Sequence, residues 1–217
     1  MTVLNLNWVK ENFNKENLVV FDIGAADMEV SKAIRHMIPA ASLYAFEAFD
    51  YWHEENEKTA LQLDIHYYKG AVSGIDGTVA FNPCLTEHGR NHPFSGSIFA
   101  PLASHLNAHQ QVYGDQVTIH SIRLETFCKE HDVTPDFIHI DVEGAEVQVL
   151  SNMGKYKPKC IWAETGAFRC YDTNVTSDDL DALLTALGYY KVYADSADSL
   201  YCQTGFNITP YVPMGAS

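Results

Sequence analysis

LVVFDIGAADMEVSKAIRHMIPAASLYAFEA, residues 18–48, holds one complete unit of a parallel α/β sheet. Leu18 to Gly24 is a short apolar run of strand length, and Ser42 to Ala48 is a second. Between them Val30, Ala33, Ile34 and Met37 fall on one helical face, and Pro39 marks the exit. Strand, helix and strand in this order make a βαβ crossover, the connection that a parallel strand pair requires.

The same alternation continues outward. A helix is expected from Tyr51 to about Leu61, a third strand within Asp64 to Val72, and a turn leading to a short extra strand that ends at Phe81. Order resumes with a strand at Val117 to Ile122, a helix from Leu124 to His131, a strand at Asp136 to Asp141, and a helix from Glu143 to Met153 closed by Gly154. Cys160 to Glu164 reads as a buried strand, and Ser177 to Leu187 as a helix capped by Thr176 or Ser177. Tyr189 to Asp195 and Ser199 to Phe206 follow, joined by a link too short for a parallel crossover, so the last strand should run antiparallel. The expected fold class is α/β: about seven strands, mostly parallel, with helices on both faces. Residues 82–116 break the pattern, being rich in Pro, Gly, Asn, Ser and His, and read as a loop-rich insertion over the active face.

A chain of 217 residues, 47% hydrophobic and 19% charged, fits one folded domain spanning 1–217. No apolar run approaches the roughly 20 residues a membrane helix needs, and the first residues lack the basic start and apolar core of a signal peptide, so a cytoplasmic location is expected. The net charge of -14 argues against nucleic acid as a partner. Cys84, Cys128, Cys160, Cys170 and Cys202 are odd in number, widely spaced and without a C-x-x-C pair, which suggests unreactive thiols rather than disulfides or a zinc ribbon.

Ligands of open α/β sheets sit at the carboxyl ends of the strands, beside the first. Here that strand ends in FDIGAAD, where Gly24 permits a close backbone approach, and Glu47 ends the next strand, where a carboxylate can bind both hydroxyls of a ribose. An adenosine-containing cofactor is suggested. A pyrophosphate cradle is not, because Gly24 stands where dinucleotide sites carry three glycines and Asp22 and Asp27 would repel phosphate. S-adenosylmethionine fits better, since its sulfonium and ammonium groups are attracted to acidic residues.

FDIGAADMEVS, YAFEA, KGAVSGIDGTVAF, SGSIF, HSIRLETF and above all HIDVEGAEVQVL followed by IWAE resemble, in this order, the blocks of the FkbM-type S-adenosylmethionine-dependent methyltransferases. The resemblance runs from about Val19 to Glu164 and implies a Rossmann-like, seven-stranded methyltransferase sheet. It implies a cofactor site of Asp22, Ile23, Gly24, Ala25, Ala26, Glu47, Ala48, Ala71, Val72 and Asp141. Within that set Glu47 holds the ribose, Ala71 and Val72 lie near the adenine, and Asp141 lies close to the methionine end. The family usually has Asn and then Gly where this chain has Ala26 and Met28, so Met28 is expected to crowd the cofactor loop; His139 replaces the usual Lys.

Methyl transfer to a hydroxyl requires an in-line approach and often a base. Asp141, Glu143 and Glu164 fall at the ends of adjacent strands and are the catalytic candidates, while Glu146 reads as a residue that favours its helix's dipole. His88 with His92, and His105 with His109, have the i, i+4 spacing of zinc-ligand pairs but lie near prolines and outside any H-E-x-x-H, so they read as solvated loop residues, one of which can serve as a base; no metal is expected. Trp52, Tyr67, Tyr68, Phe94 and Phe99 can wall a substrate pocket or fill the core. The expected function is O-methylation of a small-molecule or glycan-like acceptor. The rivals are a non-catalytic binding module of the same fold, and a nucleotide-dependent oxidoreductase that would need the missing glycines.

Overall fold

The computed structural model describes residues 4–13, 17–91 and 94–213, the side chain of Arg90 excepted; His92 and the last four residues of the tail lie outside it. Seven strands form the main sheet and are numbered here among themselves: β1 (Val19–Ile23), β2 (Ser42–Glu47), β3 (Ile65–Lys69), β4 (Phe137–Ile140), β5 (Cys160–Glu164), β6 (Tyr189–Ala194) and β7 (Asp198–Gln203). Their order across the sheet is β3-β2-β1-β4-β5-β7-β6, parallel except that β7 runs antiparallel to both its neighbours. The switch in order falls between β1 and β4, which places the expected ligand crevice at their carboxyl ends.

The helices are α1 (Leu6–Asn12), α2 (Glu29–Met37), α3 (His53–Leu63), α4 (Ala103–His109), α5 (Leu124–Glu130), α6 (Glu146–Leu150) and α7 (Ser177–Ala186). Strand alternation sorts the core into two layers. Leu18 and Val20, Leu43 and Ala45, Phe137, Cys160 and Trp162 point to the layer containing α1, α2 and α3. Phe21 and Ile23, Phe46, Ile138 and Ile140, and Ile161 and Ala163 point to the layer of α5, α6 and α7. Thr176 closes α7 with a capping box, its side chain receiving the Asp179 N–H while Asp179 receives the Thr176 N–H.

Three departures from the sequence reading have local causes. The third strand stops at Lys69, and Ala71–Val72 leaves the main sheet to pair with Val117–Ile122, which also pairs with Gly77–Phe81. The helix expected from Glu143 is shorter, because Glu143 (φ 54°) and Gly144 (φ 97°) are left-handed and delay its start to Glu146. Residues 82–116 are not simply loop: Cys84–Glu87 pairs with Arg90–Asn91 and with Val112–Tyr113, and α4 lies within the segment. The tail up to Pro213 docks beneath α1, where Trp8 donates to the Thr209 carbonyl at 2.8 Å and packs edge-on to Tyr211. All five cysteines are free thiols. Among the described residues no helix is long and apolar enough to cross a membrane.

Candidate active site

Strand parity assembles the site. Val20 and Asp22, Phe137 and His139, Cys160 and Trp162, and Leu43 and Ala45 share one face, and Asp22 pairs with both His139 and Ala45 while His139 pairs with Trp162. Continuing these registers two residues further aligns Glu47, Gly24, Asp141 and Glu164, and Glu164 pairs in turn with Asp198 of β7. Four carboxylates therefore flank one glycine along the mouth of the sheet.

Gly24 (φ +83°) has a structural reason. A Cβ built there would lie 1.7 Å from the Asp141 carbonyl oxygen, so the close approach that demands glycine is that of β4's end, rather than the ligand approach expected from the sequence. The following loop turns with Ala26 at φ 43° and Met28 at φ 62°. Gly24 and Ala25 N–H both donate to the Phe46 carbonyl, Ala26 N–H to Glu47 Oε2 at 2.7 Å, Met28 N–H to the Ala25 carbonyl, and Glu29 N–H to Asp27. The Asn56 side chain holds the Ala26 carbonyl at 2.6 Å. These amides are already engaged, which leaves no nest of N–H groups to cradle a pyrophosphate.

Met28 does not crowd the loop. Its side chain is fully buried in the α1–α3 layer beside Ile34 and is not among the cavity-lining residues, because the left-handed backbone turns it inward.

A cavity of about 460 Å³, within the usual range for small-ligand sites, opens above this loop. It brings together the cofactor and catalytic carboxylate candidates named from the sequence: Asp22, Ile23, Gly24, Ala25, Ala26, Glu47, Ala48, Ala71, Val72, Asp141, Glu143 and Glu164. Of the aromatic candidates only Phe94 lines it; Trp52 packs on Phe94, and Tyr68 packs against the core. The far wall is Phe94 to Ile98 from the 82–116 segment.

Asp22 lines the cavity, yet its carboxylate is turned to structure: Oδ2 accepts from the Ser31 hydroxyl and N–H, and Oδ1 meets His139 Nδ1 at 2.9 Å. Burial by itself would lower the His139 pKa, but Asp22, with Asp141 and Asp198 beyond it, raises it above the usual imidazole value. Glu47 is buried, and its second oxygen accepts the Phe49 N–H at 2.6 Å; burial pushes its pKa up to about 7 despite those two amides.

Burial also raises Asp141, Glu143 and Glu164, and the last two are lifted further by their acidic neighbours. One oxygen of each lies within 4.8 Å of the others, a spacing at which three full negative charges are not sustained without protons or a cation between them. Glu164 hydrogen-bonds to Asp141, while its buried Oε2 has no hydrogen-bond partner among the described residues. Glu143 is aimed by its own backbone: Ser97 Oγ donates to its carbonyl at 2.7 Å, and Glu146 Oε1 accepts the N–H groups of Val142 and Gly144 on either side. Held from both directions, a left-handed glutamate presents its carboxyl to the cavity, where it meets the Tyr171 hydroxyl. Glu146 is thus a buried loop clamp, and burial pushes its pKa to about 8.

The sequence reading missed Asp198, Tyr171, Ser97 and Asn56. Asp198 is detectable in principle, since an antiparallel strand brings its first residue, not its last, to the mouth; its pKa is raised to about 6 by burial and then by Asp141. Of the histidine pairs, His105 and His109 stay neighbours, their rings tilted with centroids 4.5 Å apart, while His88 turns toward His109 and Glu87.

The sheet order and the acid-lined crevice at the β1–β4 switch define a Rossmann-like methyltransferase fold. Residues 22–190 match the family profile described as the methyltransferase FkbM domain, and the chain belongs to the FkbM methyltransferase family. S-adenosylmethionine is the cofactor that this membership implies. Among solved structures, the methyltransferase FkbM from Methylobacillus flagellatus KT is similar at 13% identity and a TM-score of 0.52, over 86% of this chain and 44% of that one. The chain thus spans less than half the length of that relative. A putative caffeoyl-CoA O-methyltransferase from Staphylococcus aureus is similar at 13% identity and a TM-score of 0.51, over 94% of this chain and 84% of that one. No curated protein matches the chain.

Proposed function

We propose that the chain transfers the methyl group of S-adenosylmethionine to a hydroxyl of an uncharged small-molecule or glycan-like acceptor. The observation that carries this reading is the lining of the cavity: among the described residues it holds Asp22, Asp27, Glu29, Glu47, Asp141, Glu143 and Glu164 and no Lys or Arg. Such a lining attracts a sulfonium and an ammonium and repels phosphorylated or carboxylated acceptors.

The residues present suit this cofactor. Glu47 keeps lone pairs beyond the two amides it accepts, so it can take up ribose hydroxyls, and Ala48, Ala71 and Val72 give an apolar wall suited to an adenine. Asp141, with the unpartnered Glu164 Oε2 beside it, faces where positive charge is needed. When bound, the cofactor supplies an electrophilic methyl whose transfer neutralises the sulfonium. Glu143 is the acceptor's base: in its ionised form burial makes its carboxylate more basic than an exposed one, and the Ser97 and Glu146 contacts hold it in place. Glu164 contacts Asp141 and is raised by burial and its acidic neighbours, which makes it the second carboxyl beside the reacting centre. The non-catalytic rival rests on Ala26 and Met28; Met28 stays out of the cavity, whereas Ala26 lines it, and the titration below separates the two readings.

The test is calorimetric titration with S-adenosylmethionine, followed by mass spectrometry of a panel of neutral polyols and glycosides beside their phosphorylated and carboxylated analogues. Methylation of neutral hydroxyls is expected. Absence of cofactor binding, or a product methylated only on an acid or an amine, overturns the proposal.

A further inference from the structure

A second constellation stands away from the crevice. In the 82–116 segment, strand Cys84–Glu87 turns through His88 (φ 50°) and Gly89 (φ 71°), and the His88 N–H donates to the carbonyl of His109, the last residue of α4, at 2.9 Å. That bond seats the turn on the helix end and converges three ligating side chains: one atom each from Glu87, His88 and His109 lies within 4.8 Å of the others. We propose that these residues form a binding site for one divalent transition-metal ion, zinc by preference.

The donor set is two imidazoles and a carboxylate, which suits zinc among the common divalent ions. Glu87 Oε1 and His109 Nδ1 are 3.3 Å apart, close to the edge of roughly 3.3 Å expected of two ligands each about 2.0–2.1 Å from a tetrahedral ion. Gln111 Nε2 donates to the same Glu87 oxygen at 3.3 Å, the kind of outer contact that orients a ligating carboxylate. His88 is exposed and the His109 side chain is 45% exposed, so an ion has a path in and water can complete the coordination. The net charge of -14 favours cation capture generally, but the imidazole nitrogen donors set the preference for a transition metal over magnesium or calcium.

The ion would act as a staple, tying the turn to α4 in a segment that also walls the active site. Leu102, which caps α4, donates its N–H to the Cys170 carbonyl at 2.8 Å, and Asp172 N–H donates to Ala100. Tyr171 between them reaches Ser95 at 2.8 Å and Glu143 in the cavity.

The experiment is titration of Zn²⁺ into tag-free, chelator-treated full-length protein, with native mass spectrometry for stoichiometry and Co²⁺ substitution to read the coordination spectrum. One equivalent is expected, with affinity at least about tenfold lower in His88→Ala and in His109→Ala, and unchanged in His36→Ala on α2. A wild-type chain that takes up no metal overturns the site without recourse to any variant. So does binding that survives both substitutions, or that is abolished by Glu164→Gln instead, which would locate the ion in the crevice.

Discussion

Glu47 makes the cofactor assignment testable by pH. Its carboxyl is raised to about 7, chiefly by burial, although it accepts the Ala26 and Phe49 amides. Hydroxyls donating to it favour the ionised form, so binding must first remove its proton. With a pKa near 7 that requirement costs on the order of 1 kcal/mol at pH 6 and almost nothing at pH 8. The dissociation constant of S-adenosylmethionine should therefore fall about tenfold from pH 6 to pH 8, with affinity lost as pH drops through the raised pKa. Glu47→Gln removes the titrating group and one strong acceptor; at pH 8 it should weaken binding by about 1.5–3 kcal/mol, or roughly 10- to 150-fold. The remaining pH slope in the variant reports the other carboxyls alone. Calorimetry in two buffers of different ionisation enthalpy measures the released proton directly. A dissociation constant flat from pH 6 to pH 8, or a slope and proton release identical in Glu47→Gln, would refute the ribose role.

Other substitutions separate the remaining roles. Asp141→Asn should raise the cofactor dissociation constant, while Glu143→Gln should leave it nearly unchanged and lower turnover by roughly 10² to 10⁴; normal affinity in Asp141→Asn removes its cofactor role, and full turnover in Glu143→Gln moves the base elsewhere. Met28→Gly should destabilise the fold by about 1–3 kcal/mol in urea titration, since a buried side chain worth about 2–5 kcal/mol outweighs about 1–2 kcal/mol of relieved left-handed strain; unchanged stability would contradict its packing role. Glu146 has its folded pKa raised to about 8, so its contribution is full below its ordinary value and lost as pH rises toward 8. Wild-type stability should drop by on the order of 2 kcal/mol between pH 5 and pH 7 from this group, and Glu146→Gln should show a correspondingly flatter slope; equal slopes would disprove it.

What the sequence discloses and what it hides follow from the range of the interactions. Strand faces obey a two-residue period that is local, so the inward faces of Leu18 to Gly24 and Cys160 to Glu164 can be read directly, and β5 coincides with its expected bounds. The candidates Glu47, Asp141 and Glu164 follow as soon as the strand ends are known. Their common row does not, because register between strands is set by neighbours more than a hundred residues apart, such as Asp22 and His139. The same limit hid Asp198, whose place depends on β7 running against β5.

Backbone sign is the other hidden quantity. At Met28 and Glu143 a left-handed φ decides whether a side chain enters the cavity or leaves it, and composition gives no warning when the residue is neither glycine nor asparagine. Met28 goes to the core, whereas Glu143 goes to the ligand side because Ser97 and Glu146 bracket it. Those brackets come from different parts of the chain: Ser97 from the 82–116 segment and Glu146 from α6. The insertion therefore does more than cover the crevice. It fixes the conformation of the proposed base, so a change in its packing should appear in turnover before it appears in cofactor affinity, which the proposal assigns to Glu47, Asp141 and the first loop.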